Sequence, residues 1–235
     1  IAARLPLRAL WRDRWMSLAP KGLVQSVRAE WRGTGEAVES FAAKGRVVQL
    51  ALAPAGSNGL GIQGASINFD LTQAGGKATV QIDNGAVELP GMLEEPLIPI
   101  ARLSVDAKWQ IEGDQLAVQL PNLKFANADA QGEFDVKWRT SNGPHQRPGT
   151  RFPGVLDLRG GLSRCNGARV HRYLPASILP EVRHYVREAV KKGTASDVRF
   201  KIKGDLHDFP FVQDKTGDFR ITANVSDVTF AYAPV

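Results

Sequence analysis

The chain has 235 residues, 43% hydrophobic and 23% charged, so it can build a core and lies outside the disordered class. No apolar run approaches the roughly 20 residues that a membrane-crossing helix needs, Ile1–Leu10 is broken by Arg4, Pro6 and Arg8 where a signal peptide would be apolar, and the single Cys165 excludes an internal disulfide. The net charge of +6 is uneven: residues 139–203 carry fourteen Lys/Arg against four Asp/Glu, and residues 47–138 carry five against eleven. Anionic partners would meet the basic segments first, although such an excess also fits a plain solvated surface.

Leu7, Leu10, Trp11, Trp15 and Leu18 recur at helical spacing between Arg8, Arg12 and Arg14, and Pro20–Gly22 ends the run. This predicts a short basic amphipathic helix, suited to capping a sheet or to lying on a membrane surface. The apolar period then changes to two. Val24–Trp31 and Arg46–Leu52 read as strands, and Gly56–Gly64 as a loop. Ile67, Phe69 and Leu71 alternate with polar residues, Gly75-Gly76 marks a turn, and Ala78, Val80 and Ile82 continue the alternation, which is a hairpin pattern. Leu103 to Ile111, Leu116 to Leu120 on the far side of Gly113-Asp114, Phe134 to Trp138, Val198 to Ile202, Phe219 to Val225 and Val228 to Tyr232 repeat it. Regular alternation of this kind predicts antiparallel strands with one apolar and one wet face.

Residues 141–153 hold Gly143, Pro144, Pro148, Gly149 and Pro153 and read as a loop between an N-terminal part, residues 1–140, and a continuation, residues 154–235. Pro180 at a helix start, then Val182, Tyr185, Val186, Ala189 and Val190 on one stripe, predicts a helix over 181–192, with Lys191 and Lys192 at its C-terminal dipole and Gly193 stopping it. Ten to twelve strands thus present apolar faces that only two short helices are available to cover. Periodicity alone favours a sheet folded onto itself as a sandwich or barrel; the alternative is a face covered by something other than protein.

Motifs for chemistry fail on context. Gly59, Gly61 and Gly64 have dinucleotide-loop spacing but lead into a strand, not a helix. His145, His171, His184 and His207 show no close ligand pairing, and one cysteine cannot build a zinc site, so neither metal nor cofactor is expected. Ser163 lacks a complete nucleophile elbow, and Asp205, His207 and Asp208 fall at a turn. Trp109, Phe134 and Trp138 are in phase with aliphatic residues, unlike the stacking platform that nucleic-acid binding requires. No enzyme is expected.

Arg172-Tyr173-Leu174-Pro175, Leu179-Pro180, the helix and Gly193, then Gly204-Asp205-Leu206, Phe209-Pro210-Phe211 and Gly217-Asp218-Phe219 resemble the YhdP family of AsmA-like proteins. So do Pro20-Lys21-Gly22 leading into Val27–Trp31, the Gly59–Gly64 turn, Leu89-Pro90, Glu95-Pro96-Leu97 with Lys108-Trp109, and Leu156-Asp157-Leu158. The chain departs from the family at Tyr185-Val186, where Trp-Leu is usual. The family pattern also runs past Tyr232–Pro234, so a fragment of a longer polypeptide is expected.

The resemblance implies a mainly β chain whose long antiparallel sheet curls into an open trough with two short helices. It further implies a non-enzymatic phospholipid conduit of the Gram-negative periplasm, between inner and outer membrane, anchored in the inner membrane through a segment outside this chain. The rival reading is a closed β-sandwich that binds an envelope protein or glycan. The residues expected to line the lipid groove are Ile67, Phe69, Leu71, Val80, Ile82, Val105, Trp109, Val118, Phe134, Val136, Phe200, Ile202, Phe219 and Ile221. Arg183, Arg187, Lys191 and Lys192 are expected to face phosphate headgroups, while Phe209 and Phe211 are expected to wedge a strand end.

Overall fold

A computed structural model describes residues 17–34, 37–56, 59–142, 151–176, 178–211 and 216–232. The helix expected over Leu7–Leu18 lies almost wholly outside the described residues. From Lys21 onward the alternating pattern becomes ten antiparallel strands: β1 (Lys21–Thr34), β2 (Ala37–Leu52), β3 (Gly61–Thr72), β4 (Gly75–Glu88), β5 (Leu97–Glu112), β6 (Gln115–Ala126), β7 (Ala130–Arg139), β8 (Val155–Asn166), β9 (Val190–Asp205) and β10 (Gly217–Phe230). They form one sheet in strict chain order, β1 to β10, that does not close into a barrel. Each strand packs extensively only against its sequence neighbours, so the sandwich that periodicity alone favours does not form.

The β3–β4 hairpin turns on Gln73-Ala74, flanked by the Thr72–Gly75 pair, and not on Gly75-Gly76. Those glycines serve close strand approach instead: a Cβ on Gly76 would stand 2.6 Å from the Leu71 Cβ. The β5–β6 hairpin does turn on Gly113-Asp114, as its sequence indicates.

A second feature interrupts the alternation. In several strands two apolar residues stand three apart, with a left-handed residue just before the second: Val47 and Leu50 around Gln49, Leu120 and Leu123 around Asn122, Ala195 and Val198 around Asp197, Val225 and Val228 around Asp227. Ile62 and Ala65 do the same around Gly64. Strand register shifts at these places, as between Val47 and Leu50, Gln63 and Ala65, and Leu120 and Leu123. They are β-bulges, and the extra residue returns the next apolar side chain to the face it would otherwise leave. The bulges lie near one another from strand to strand, as the Leu50–Ala65, Ala65–Ile82, Leu103–Phe125, Gly132–Leu162 and Leu162–Val198 pairings place them. Bulges bend and twist the strands that carry them, so a row of them bends the sheet.

Between β8 and β9 the chain leaves the sheet as a strap. A 3-10 helix, Gly167–Tyr173, starts where the Asn166 side chain accepts from the Ala168 N–H, and α1 (Pro180–Ala189) starts on Pro180 at its first turn. The expected end of α1 at Lys192 is three residues late. Val190 already opens β9 and pairs with Phe230, so Lys191, Lys192 and Gly193 belong to that strand. The strap lies against β9 and reaches the β4–β5 connection, where Leu93 bridges to Pro175 and the Ala176 N–H donates to the Met92 carbonyl at 2.8 Å. Beneath it sits the main core: Ala65, Ile82, Ile98 and Ile100 are buried, with Leu93, Leu103 and Tyr173 packed on them.

The bulge geometry leads to a measurable expectation. Asn122 holds a left-handed φ of 52°, which Asn tolerates and a β-branched residue does not. Asn122→Val should cost about 1–2 kcal/mol in urea unfolding, and Asn122→Gly should be near neutral.

Candidate binding groove

Strand pairing places every residue expected to line a groove on one face of the sheet. Ile67, Val80 and Val105 stand in one row across β3, β4 and β5. Phe69 lies one step along, opposite Ala78 and Gly45. Leu71 shares a row with Trp109 through Gly76, and Trp109 pairs with Val118. On the other half of the sheet, Val136 continues through Leu158 to Ile202 and Phe219, and Phe134 through Gly160 to Phe200 and Ile221. Ile82 shares this face but differs in exposure: at 1% it is buried in the core cluster on which Tyr173 and Leu93 pack.

The Phe134 row shows how glycine shapes the face. Phe134 and Phe200 lie on β7 and β9, about 9.5 Å apart in a flat sheet. Their ring centroids are nevertheless 5.9 Å apart, meeting over Gly160 of the intervening β8. A Cβ on Gly160 would stand 2.6 Å from the Phe134 ring. Phe125 stacks on Phe134 from the other side at 6.0 Å, so the three rings form an aromatic strip across β6 to β9.

The opposite face is a field of charges in register. Lys77, Lys108, Gln119, Lys137, Asp157, Lys203 and Asp218 follow one another across β4 to β10. Ion pairs such as Arg159–Asp157 at 3.3 Å and Lys124–Glu133 at 3.6 Å are exposed, and each is worth at most about 1 kcal/mol. This face keeps the sheet hydrated, so the apolar and wet faces differ along the whole strand order.

Parts of both margins of the apolar face, where strands end, are covered. On one margin the strap is tied down by polar contacts. The Arg172 guanidinium donates to Asp129 at 2.7 Å and to Glu95 at 2.8 Å, and the Tyr173 hydroxyl donates to Asp129 at 3.1 Å while accepting from Asn127 at 2.9 Å. Burial pushes the Tyr173 phenol above its ordinary pKa, so it stays a neutral donor. Arg183 and Arg187 of α1 converge on Glu94 at 3.0 and 3.2 Å. On the other margin Phe152 stacks on Trp138 at 5.0 Å, Trp138 donates its indole N–H to the Pro153 carbonyl, and buried Phe211 packs over Gly204 and Gly217. Phe209 meets Phe211 edge-on at 5.6 Å and Phe219 edge-on at 5.3 Å.

The two edge strands, by contrast, leave the apolar face open. Val27 and Trp31 of β1 are 61% and 54% exposed, and Ile221 and Val225 of β10 are 50% and 66% exposed. The apolar face therefore stays open at both edges of the sheet, on β1 and on β10. Of the four residues expected to meet headgroups, Arg183 and Arg187 are turned to Glu94, Lys191 pairs with Glu188 at 2.8 Å, and Lys192 is exposed on β9. The cluster of Glu94, Glu95, Asp129, Arg172 and Tyr173 was not readable as a site, because its members are 43 or more residues apart across the two sides of the tie. His207 and Asp205 are close, at 2.8 Å, and form a capped 3-10 turn at Leu206–Asp208. Among the described residues no three His, Cys, Asp or Glu side chains are grouped as metal ligands.

The family model described as YhdP protein matches residues 1–235, and the chain belongs to that family. No curated protein and no solved structure matches it. Membership fits lipid transport in the envelope at the level of the family.

The ties make a contrast that thermal melting can read. Arg172→Met leaves the buried Asp129 carboxylate with only the Tyr173 hydroxyl and should cost about 2 kcal/mol. Arg28→Met, which removes an exposed pair with Glu30, should cost less than about 0.5 kcal/mol.

Proposed function

We propose, from membership of the YhdP family and from the open apolar face, that this chain is a section of a conduit for phospholipid between the inner and outer membranes of a Gram-negative bacterium. It works in the periplasm, as part of a polypeptide anchored in the inner membrane; among the described residues no helix is long and apolar enough to cross a membrane. The observation that carries the reading is a single sheet whose apolar face stays uncovered on both edge strands. Monomeric soluble surfaces rarely leave so long an apolar strip bare.

The chain does no bond chemistry in this role. Each acyl CH₂ taken from water contributes about 0.8 kcal/mol, so an apolar floor holds the chains. Because the floor is continuous across the strands, an acyl chain that slides from one row to the next exchanges one apolar contact for another and meets no extraction barrier at each step. Ile67, Phe69, Leu71, Val80, Val105, Trp109 and Val118 floor one half, and Phe134, Val136, Phe200, Ile202, Phe219 and Ile221 the other. Headgroups stay hydrated along the margin, where Lys192, and Lys191 when it leaves Glu188, attract phosphate. Arg183 and Arg187 contribute there only while Glu94 does not hold them.

Placing a carboxylate on the floor separates conduit from core. Val105→Asp stands on the open floor and should keep the fold within about 1 kcal/mol while removing co-purified phospholipid from native mass spectra. Ile82→Asp, in the sealed core, should lose several kcal/mol and fail to fold. Phospholipid retained by a folded Val105→Asp protein would count against the conduit.

A further inference from the structure

Tyr173 of the strap and Leu93 of the β4–β5 connection cover a floor that is built like the open one. Ala65 and Ile82, beneath them, are two steps along β3 and β4 from Ile67 and Val80, so the apolar face continues under them without a break. Yet the strap commits little apolar surface to that floor. Tyr173 packs on it, but Leu179 before α1 and Val182 and Tyr185 on α1 stay exposed, and α1 rests on β9 and on the 3-10 helix of its own strap.

What fixes the far side of the strap to the β4–β5 connection is mainly polar. Arg183 and Arg187 share the one carboxylate of Glu94, and Arg172 reaches Glu95. The closed arrangement also carries a cost, because the Nε–H groups of Arg183 and Arg187 are buried without an acceptor. Both would be hydrated if the strap lifted. A buried donor left unmet destabilises the state that buries it, so the α1 end of the closed strap is offset toward release and held by the Glu94 charge pairs, while Arg172 and Tyr173 tie the 3-10 helix to Asp129.

We propose that the strap, residues 167–176 and 178–189, is a hinged lid over the Ala65–Ile82–Ile98–Ile100 floor, that Glu94 is the latch of its α1 end, and that the lid opens for a phospholipid's acyl chain during transport. This rests on the conduit reading above. The hinge is the strap's attachment to β8 and β9, and opening exposes an apolar annex beside the path across the strands. Lifting the lid frees Arg183 and Arg187 at the same margin, where they meet the phosphate of the lipid whose chain enters.

Leu93 and Pro175 form an antiparallel bridge, whose Cα atoms stand about 4.5–5.5 Å apart, within disulfide range. In the full-length protein with Cys165→Ser, the pair Leu93→Cys and Pro175→Cys locks the lid when oxidised. Transfer of fluorescent phosphatidylglycerol between phosphatidylethanolamine and phosphatidylglycerol vesicles should fall about tenfold in the oxidised form and recover on reduction, the signature of a required two-state element. An oxidised form that transfers at the reduced rate overturns the lid and leaves the conduit standing. If wild-type protein neither transfers nor carries lipid, the conduit reading falls and the lid with it. Independently, Glu94→Gln should speed amide exchange in residues 171–189 about tenfold, the equivalent of one lost charge-assisted tie. Unchanged exchange there overturns the latch.

Discussion

A sheet buries its apolar face against another layer or leaves it wet, and this one has no second layer of protein to use. Every strand is registered against its chain neighbours, so no strand is free to fold back over the face. That constraint governs the rest of the molecule. The strap, Phe152 and Phe211 cover only the strand ends, and the exposed valines, aromatic rings and isoleucine of β1 and β10 are what remains. Stability comes from backbone pairing and half-buried cross-strand contacts more than from a central core, because wholly buried apolar residues are few among the described residues.

The bulges reconcile two demands that conflict in a long sheet. Strands of 12 to 16 residues here carry bulges that bend and twist them, and they must keep their apolar residues on one face through the bend. A single extra residue in the left-handed region answers both. Asn122, Asp197 and Asp227 are suited to it because short polar side chains tolerate that backbone, and the Asn224 amide donates to Asp197 at 3.3 Å across the neighbouring strand. Gly160 works at right angles to this, letting rings from two strands close over a third.

Much of the architecture was legible because period-two alternation is a local signal. Ile67 to Ile82 and Phe219 to Val225 announce their strands, and cross-strand pairing then puts the expected groove residues on one face. The bulges were visible too, as Leu120 to Leu123 and Val225 to Val228, but three-residue spacing in an alternating run carries no meaning until strands are seen side by side. The strap contacts were illegible for another reason. Arg172 and Asp129, or Arg187 and Glu94, meet only because loops from distant hairpins end on one margin, and nothing in either segment specifies the other. Closed or open was likewise undecided by alternation, since a sandwich needs the same pattern. The end of α1 was misplaced because Lys191 and Lys192 suit a helix terminus and a strand equally well.

Strict chain order also bears on how such a molecule comes to have its length. A sheet in which each strand answers only to its neighbours behaves as a one-dimensional array, stabilised pair by pair, with contacts that are local along the chain. Adding or deleting one hairpin changes the span by about 9.5 Å and leaves the inside and outside of every other strand as they were. Removing a single strand would reverse the direction of all that follow and carry their bulges to the wrong margin. Growth by pairs is therefore the route open to this fold, and the strap, which reaches from the β8–β9 connection back to the β4–β5 connection, is the one described element that counts across several of them.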